Sequence, residues 1–571
     1  MTTQQKKPNI LIITTDQFRH PPVYETDEMR RWRREALTAE TSLRDTGVSL
    51  DRHYPMSAAC VPSRASYLTG QYPPLHGVSQ TDGLAKSAEG KDMFWLSPDT
   101  VPTMGDWFRA GGYRTFYKGK WHASHPHIEA PDGKGFLQTV DKDEKPIPEN
   151  IATYLKADLL DGYGFSEWVG PDPHGLGHQN TGTSKDAFTA TETVELLKRL
   201  DQDGSDQPWL TVCSFLNPHD ISPFGVAAPK MGLHYDLDSA PHIPEPPTQH
   251  EDLSTKPACQ QGYVDAWSKM FMPQPWIEAQ RRFYYQLQLT VDKQIERVLD
   301  ALRETHAYEN TIVVFTADHG DMQGAHGGMH QKWCNAYEET IHIPFVVASP
   351  LFAGGRRVDD IPTSHADLIP TLLGLAGIDQ GEAFKQVSAG HKEARALVGR
   401  DLSGLIRGTD RPASDPILFM TDDEVSEGDD RPGAPLQRWA RFVGTYAEIV
   451  QPVHIETVVA EVDIDGNQHL VKFSRYHDNP QFWTVPGVRD ERLRKGKKIE
   501  TVTEPSPDEY ELYDLTLDPL EQHNLAHPSN ADDRSRKLQE RMFGLLVEQL
   551  KAKRLVPRSG GRPGYRPPVT E

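Results

Sequence analysis

Three short apolar runs rich in β-branched residues stop abruptly at polar groups, and this pattern constrains the fold more than any other feature of the chain. Asn9 to Thr15 ends at Asp16-Gln17, Leu210 to Leu216 leads into Asn217-Pro218-His219-Asp220, and Thr311 to Thr316 runs towards Asp318-His319. Each reads as a buried parallel strand emptying into a loop, because strands covered on both faces are apolar throughout. Helical patterns lie between them; Trp276 to Thr305 supplies a core face from Tyr284, Leu287, Leu289, Ile295, Val298, Leu299 and Leu302. The alternation predicts an α/β fold built on a large, mainly parallel sheet flanked by helices. In such sheets ligands sit outside the carboxyl ends of the strands, where all three polar clusters fall.

With 571 residues the chain has room for a second unit. Residues 1–410 are assigned to the large α/β domain, with 220–275, rich in Pro, His and charge, as a surface insertion that reaches over the site. From about 415 the strand-like segments Pro416 to Met420, Trp439 to Val450 and Leu470 to Phe473 precede a helix at Arg536 to Lys551, which predicts a smaller C-terminal α+β domain over 411–552. Residues 553–571 form an extended tail, since Leu555 to Glu571 carries four prolines and three glycines. Arg558, Arg562, Tyr565 and Arg566 suit it to anchoring on a second copy of the chain, giving a homo-oligomer.

Lys and Arg total 61 against 82 Asp and Glu, a net charge of −21, which argues against nucleic acid as a partner. An anionic substrate therefore needs a local cluster of cations. No apolar run reaches the roughly 18 residues of a membrane span, so no membrane association is expected. The first apolar stretch is short, ends at Asp16 and lacks a small-residue cleavage site, so it reads as the first core strand of a cytoplasmic protein. Cys60, Cys213, Cys259 and Cys334 are scattered without CxxC spacing, which excludes a disulfide framework or zinc knuckle and leaves room for a chemical role.

Cys60 opens the run Cys60-Val61-Pro62-Ser63-Arg64, continued by Ala65-Ser66-Tyr67-Leu68-Thr69-Gly70. Pro62 and Ser63 suit a helix start, which places Cys60 at the positive end of a helix dipole, where an anion is stabilised. A second run extends from Gly112-Tyr113 through Lys118 to Gly119-Lys120-Trp121-His122. The pairs Asp16-Gln17 and Asp318-His319 offer oxygen and imidazole ligands to a divalent cation. His326 and His330, in a glycine-rich loop, read as structural.

The Cys60 run resembles C-x-P-S-R-x-x-x-L-T-G, the signature of type I sulfatases in the alkaline-phosphatase-like superfamily. In that family a formylglycine-generating enzyme oxidises the cysteine to formylglycine. The second run is similar to the family's G-Y-x-T-x-x-x-G-K-W-H, with Lys118 at a position usually small or apolar. Asn217-Pro218-His219, His330-Gln331-Lys332-Trp333, Tyr337 to Pro344 with His342 where Arg is common, and Glu511 to Leu525 extend the likeness over most of residues 8–530.

The resemblance implies an alkaline-phosphatase-like fold and hydrolysis of small-molecule aryl or alkyl sulfate monoesters. Asp16, Gln17, Asp318, His319 and the modified Cys60 would hold one divalent cation. With Gln17 where many relatives carry Asp, and with an imidazole among the ligands, Mn²⁺ competes with the usual Ca²⁺. The hydrated aldehyde from Cys60 would attack sulfur, with Arg64, Lys120 and Lys332 balancing charge and His219 protonating the departing alcohol. His122 would then take a proton from the remaining hydroxyl and so expel sulfate. The Asp-Gln and Asp-His pairs also resemble the phosphonate monoester hydrolase branch, so phosphonate monoester or phosphate diester hydrolysis is the second reading and a non-catalytic anion-binding homologue the third.

Overall fold

Strand β1 (Asn9–Asp16) is buried along its whole length. The two-residue period of a strand divides its side chains between two layers. Ile10 and Ile12 join a cluster with Trp107, Tyr117 and Leu372, while Leu11 and Ile13 join one with Leu197, Val291 and Val298. The computed structural model describes residues 6–83, 86, 88, 93–133, 135–173, 177–225, 228–270, 277–352, 354–425, 450–478, 491–495, 498–502 and 506–558.

In chain order the next strands are β2 (Val48–Leu50), β3 (His53–Tyr54), β4 (Arg114–Gly119), β5 (Trp209–Pro218), β6 (Thr311–Ala317), β7 (Phe345–Ala348), β8 (Arg357–Asp359) and β9 (Thr363–Ser364). Seven of them form one sheet in the order β4-β5-β1-β6-β7-β2-β8. β1 runs parallel to β5 and β6, with Ile12 opposite Val212 and Val314. Only β7 opposes its neighbours, so the sheet is mixed but mainly parallel, as expected. Because β5 and β6 both flank β1 in parallel, their carboxyl ends converge with that of β1.

The helices Gly182–Gln202 and Glu278–Arg303 cover the Leu11 face. Of the core face expected on the second, Leu289 is half-buried and the other six residues are buried. Further on come β10 (Ile417–Thr421), β11 (His454–Ile464), β12 (Asn467–His477), β13 (Glu491–Lys495), β14 (Lys498–Val502) and β15 (Glu509–Asp514). β10-β11-β12-β15 make a four-stranded antiparallel sheet, and Met542 and Leu546 of the helix Asp533–Lys553 pack on its Leu418, Val458 and Phe473. The expected strand from Trp439 to Val450 lies, apart from Val450, outside the described residues, as does the tail beyond Arg558 with its proposed anchors Arg562, Tyr565 and Arg566.

The segment 220–275 departs from a surface excursion. Ile221, Phe224, Met231, Leu233 and Ile243 are buried together with Phe283 and Tyr284, and Ala258–Met270 is a helix. Its apolar residues are spaced irregularly among prolines, so no period advertises the packing.

Lys472 of β12 ties the two sheets' regions together, with Nζ 2.6 Å from Glu521 and 3.0 Å from Glu338, and all but 2% of its side chain is buried. Lys472→Met removes the buried ammonium that bridges these two carboxylates and should lower stability by about 3–5 kcal/mol, the cost of breaking a buried pair, read from the urea midpoint. An unchanged midpoint contradicts this.

Candidate active site

Cys60 is the first residue of the helix Cys60–Thr69, which opens with Ser63 N–H donating to Ala59 O at 3.0 Å. Gly70 closes it at φ 64, a left-handed cap that favours glycine, and donates its N–H to Ser66 O at 2.8 Å. Arg64 lies one turn beyond Cys60 on the same face. Its fully buried guanidinium donates to Asp318 Oδ2 (2.9 Å), Asp16 Oδ2 (3.2 Å), Ser214 Oγ (2.9 Å) and Lys120 O (2.9 Å). One arginine thus ties the end of β1 and the middle of β5 to the residues that follow β4 and β6.

Cys60 Sγ lies 3.1 Å from His319 Nε2, 3.2 Å from Lys332 Nζ and 3.6 Å from Asp16 Oδ1. His319 Nδ1 faces Gly320 O at 2.9 Å, an arrangement that assigns the proton to Nδ1 and leaves the Nε2 lone pair facing Cys60. Gln17, at φ 70, donates its N–H to Asp318 Oδ1 at 3.0 Å and its side-chain amide to Asp321, while its Oε1 accepts from Lys332 Nζ at 2.9 Å.

Asp16, Cys60, Asp318 and His319 each bring one ligand atom within 4.8 Å of the others, all buried. Two carboxylate oxygens and an imidazole lone pair, with the Gln17 carbonyl linked to Cys60 through Lys332, fit a divalent cation. Burial would raise the Asp16 carboxyl, but Lys120, His219 and Arg64 hold it well below the usual carboxylate range. Burial first, and Asp16 after it, push the Cys60 thiol up to about 12 against the pull of Lys332 and Lys120. An unmodified Cys60 is therefore protonated at neutral pH and a poor nucleophile.

Lys120 Nζ rests on Asp16 Oδ2. Trp121 and His122 donate their N–H groups to the two oxygens of Asp172, both at 2.8 Å, and His122 Nε2 stands 2.7 Å from Asp82 Oδ1. Burial, then Lys120, lowers the His122 pKa. His219 follows β5, whose last turn is held by Asp186 accepting Leu216 N–H at 2.6 Å and Asn217 N–H at 3.0 Å. Burial and the charge of Lys120 push its imidazole well below the ordinary value.

The structure gathers Asp16, Gln17, Cys60, Arg64, Lys120, Asp318, His319 and Lys332 into one network and sets His122 and His219 beside Lys120. Lys118 instead donates to Glu167 O at 2.8 Å and pairs with Glu192, away from this network. Asp82, Asp172, Asp186, Asp321 and Ser214 escaped sequence reasoning because each is an isolated polar residue whose partner is distant in the chain.

The loop carrying Lys332 is braced by the segment 220–275. His330 stacks on Trp267 at 4.3 Å, and His326 lies 2.8 Å from Glu251 and stacks on Tyr337 at 3.6 Å. Burial works against a charged His326, but Glu251 and Glu339 raise it to about 9. Because the folded pKa lies above that of the unfolded chain, its stabilisation is full below about 6.5 and is lost as pH rises through about 9. The thermal midpoint should fall over that window, and His326→Gln should flatten the fall; equal slopes would contradict the assignment.

The choline-sulfatase of Rhizobium meliloti is 28% identical over 74% of this chain and 75% of its own. A crystal structure from Bacteroides thetaiotaomicron, of a protein assigned as a sulfatase, superposes with a TM-score of 0.61 at 21% identity, covering 98% of this chain and 99% of that one. The phosphonate monoester hydrolase of Agrobacterium radiobacter shares the fold at a TM-score of 0.55 and 20% identity, over 95% and 96%. The sulfatase family model matches residues 8–378, the span that carries every residue of the network described above, and the chain belongs to the sulfatase family.

Proposed function

We propose that the protein hydrolyses aryl or alkyl sulfate monoesters with residue 60 as formylglycine and one divalent cation, Mn²⁺ or Ca²⁺, held by Asp16, Gln17, Asp318 and His319. The observation that carries this is the cluster of cations around the nucleophile in a chain of net charge −21: Lys332 on Cys60 itself, and Arg64 and Lys120 on Asp16, whose Oδ1 lies 3.6 Å from Cys60 Sγ. Hydrated formylglycine at residue 60 would supply a diol nucleophile with a second hydroxyl through which sulfate could leave by elimination. The cation supplies charge neutralisation and a lowered hydroxyl pKa.

The chain's own residues do the rest. Lys332, 3.2 Å from Cys60 Sγ, faces the sulfate oxygens, and Lys120 and Arg64 hold Asp16 ionised and oriented. His122, oriented by Asp82, accepts the proton of the second hydroxyl; the neutral His219 imidazole stabilises the departing alcohol oxygen by donating a ring N–H hydrogen bond to it. Maturation requires a formylglycine-generating enzyme.

A panel of aryl and alkyl sulfates, phosphate diesters and phosphonate monoesters tests the reading. A sulfate monoester is expected to lead in kcat/KM by at least about tenfold, a difference of about 1.4 kcal/mol. A phosphonate monoester turned over faster than every sulfate would overturn it in favour of the activity of the Agrobacterium neighbour.

A further inference from the structure

Thr421 ends β10, the edge strand of the C-terminal sheet, and the residues after it reach back to the nucleophile. The buried Asp423 carboxylate collects four donors from three separate segments. Its Oδ2 accepts the Ala59 N–H at 3.4 Å and the Trp333 indole N–H at 3.1 Å. Its Oδ1 accepts the Thr81 N–H at 3.1 Å and the Lys86 ammonium at 2.5 Å. An ionised carboxylate, with two oxygens and only lone pairs, is the side chain that can accept all four.

Three of the four donors adjoin different parts of the site. Ala59 precedes Cys60; Trp333 follows Lys332, whose Nζ is 3.2 Å from Cys60 Sγ; Thr81 precedes Asp82, which holds His122 at 2.7 Å. The strand end is itself anchored, with the Thr421 hydroxyl donating to Ala58 O and Gln80 Nε2 donating to Asp422 O at 2.6 Å. Nothing in the Cys60 or Lys120 motifs supplies this bracing.

We propose that Asp423 is a positioning residue, fixing the nucleophile, the Lys332 ammonium and the His122 imidazole relative to one another from the C-terminal sheet. The inference rests on the reaction proposed above. An amide in place of the carboxylate turns one acceptor into a donor, so at least one of the two donor pairs loses its partner.

The test uses the full chain, with metal content and formylglycine content measured and rates expressed per folded, loaded and converted molecule. Asp423→Asn should lower kcat for an aryl sulfate about 100-fold, the scale of a misplacement near 1 Å, with KM changed by less than about threefold. Trp333→Phe, which keeps the ring and loses the N–H, should lower kcat about tenfold, and the double variant should be about as slow as Asp423→Asn alone. A residue that only supported the fold would reduce the folded fraction and leave kcat per folded molecule unchanged. That result, or additive losses in the double variant, would overturn the proposal, and Trp333→Phe decides alone if Asp423→Asn does not fold. Should the wild type prefer a phosphonate monoester, the same loss on that substrate would retain the positioning role while overturning the sulfate reading.

Discussion

Cys60→Ala is expected to abolish turnover of a sulfate monoester, a loss of about 10⁵-fold or more, as for other enzymes deprived of their nucleophile. The fold should survive, because Cys60 opens a helix in which alanine is well tolerated and Arg64 keeps both of its carboxylates. Cys60→Ser is the sharper variant. A single hydroxyl beside Lys332 and Asp16 can accept sulfate once, but the resulting ester has no second hydroxyl through which to expel it. Stopped-flow measurement with an aryl sulfate should show at most one equivalent of released phenol and then a stall. Sustained turnover by the serine variant at the wild-type rate would contradict the elimination route.

Asp318→Asn should remove the bound cation and at least about 100-fold of the activity, since even residues supporting metal ligands cost 10–100-fold when changed. The Asp318 carboxylate also accepts from Arg64 at 2.9 Å and from the N–H groups of Gln17 and His319 at 3.0 and 2.9 Å. An amide presents a donor to one of these donors, so the ligand geometry and the buried arginine suffer together. Truncation to alanine would confound the result, because the buried Arg64 guanidinium would lose one of its two carboxylates and keep only Asp16, a further cost in stability of up to about 3–5 kcal/mol. Metal analysis of the folded asparagine variant separates the effects, and full occupancy by the cation would exclude Asp318 as a ligand.

The strands that position the site were legible because each is covered on both faces and therefore carries a run of apolar and β-branched residues, as Ile10 to Thr15 within Asn9–Asp16 illustrates. The nucleophile segment was legible through its resemblance to a motif of fixed spacing, in which Cys60 starts the helix and Gly70 caps it, whereas the partners that Arg64 clamps lie 48 to 254 residues away. Lys120 and Lys332 could be singled out only through the resemblance, since a lone lysine carries no signature. The braces were not legible at all. Asp82 meets His122 across 40 residues, and Asp423 meets Ala59 across 364. Such pairs depend on tertiary placement, and an aspartate in a loop carries no mark of its partner. The packing inside 220–275 was hidden for a related reason, because prolines and short turns leave its buried Phe224, Met231 and Ile243 without a period.

Turnover in the proposed mechanism depends on the chemical state of residue 60 in active protein. Peptide mass spectrometry, combined with a carbonyl-trapping hydrazide, measures the fraction of Cys60 converted to formylglycine in preparations made with and without the modifying enzyme. Sulfatase activity is predicted to rise in proportion to that fraction and to vanish on extrapolation to zero conversion, as expected for a buried thiol whose pKa is pushed up to about 12. Preparations that contain only unmodified Cys60 and hydrolyse sulfate esters as fast as fully converted ones would contradict it.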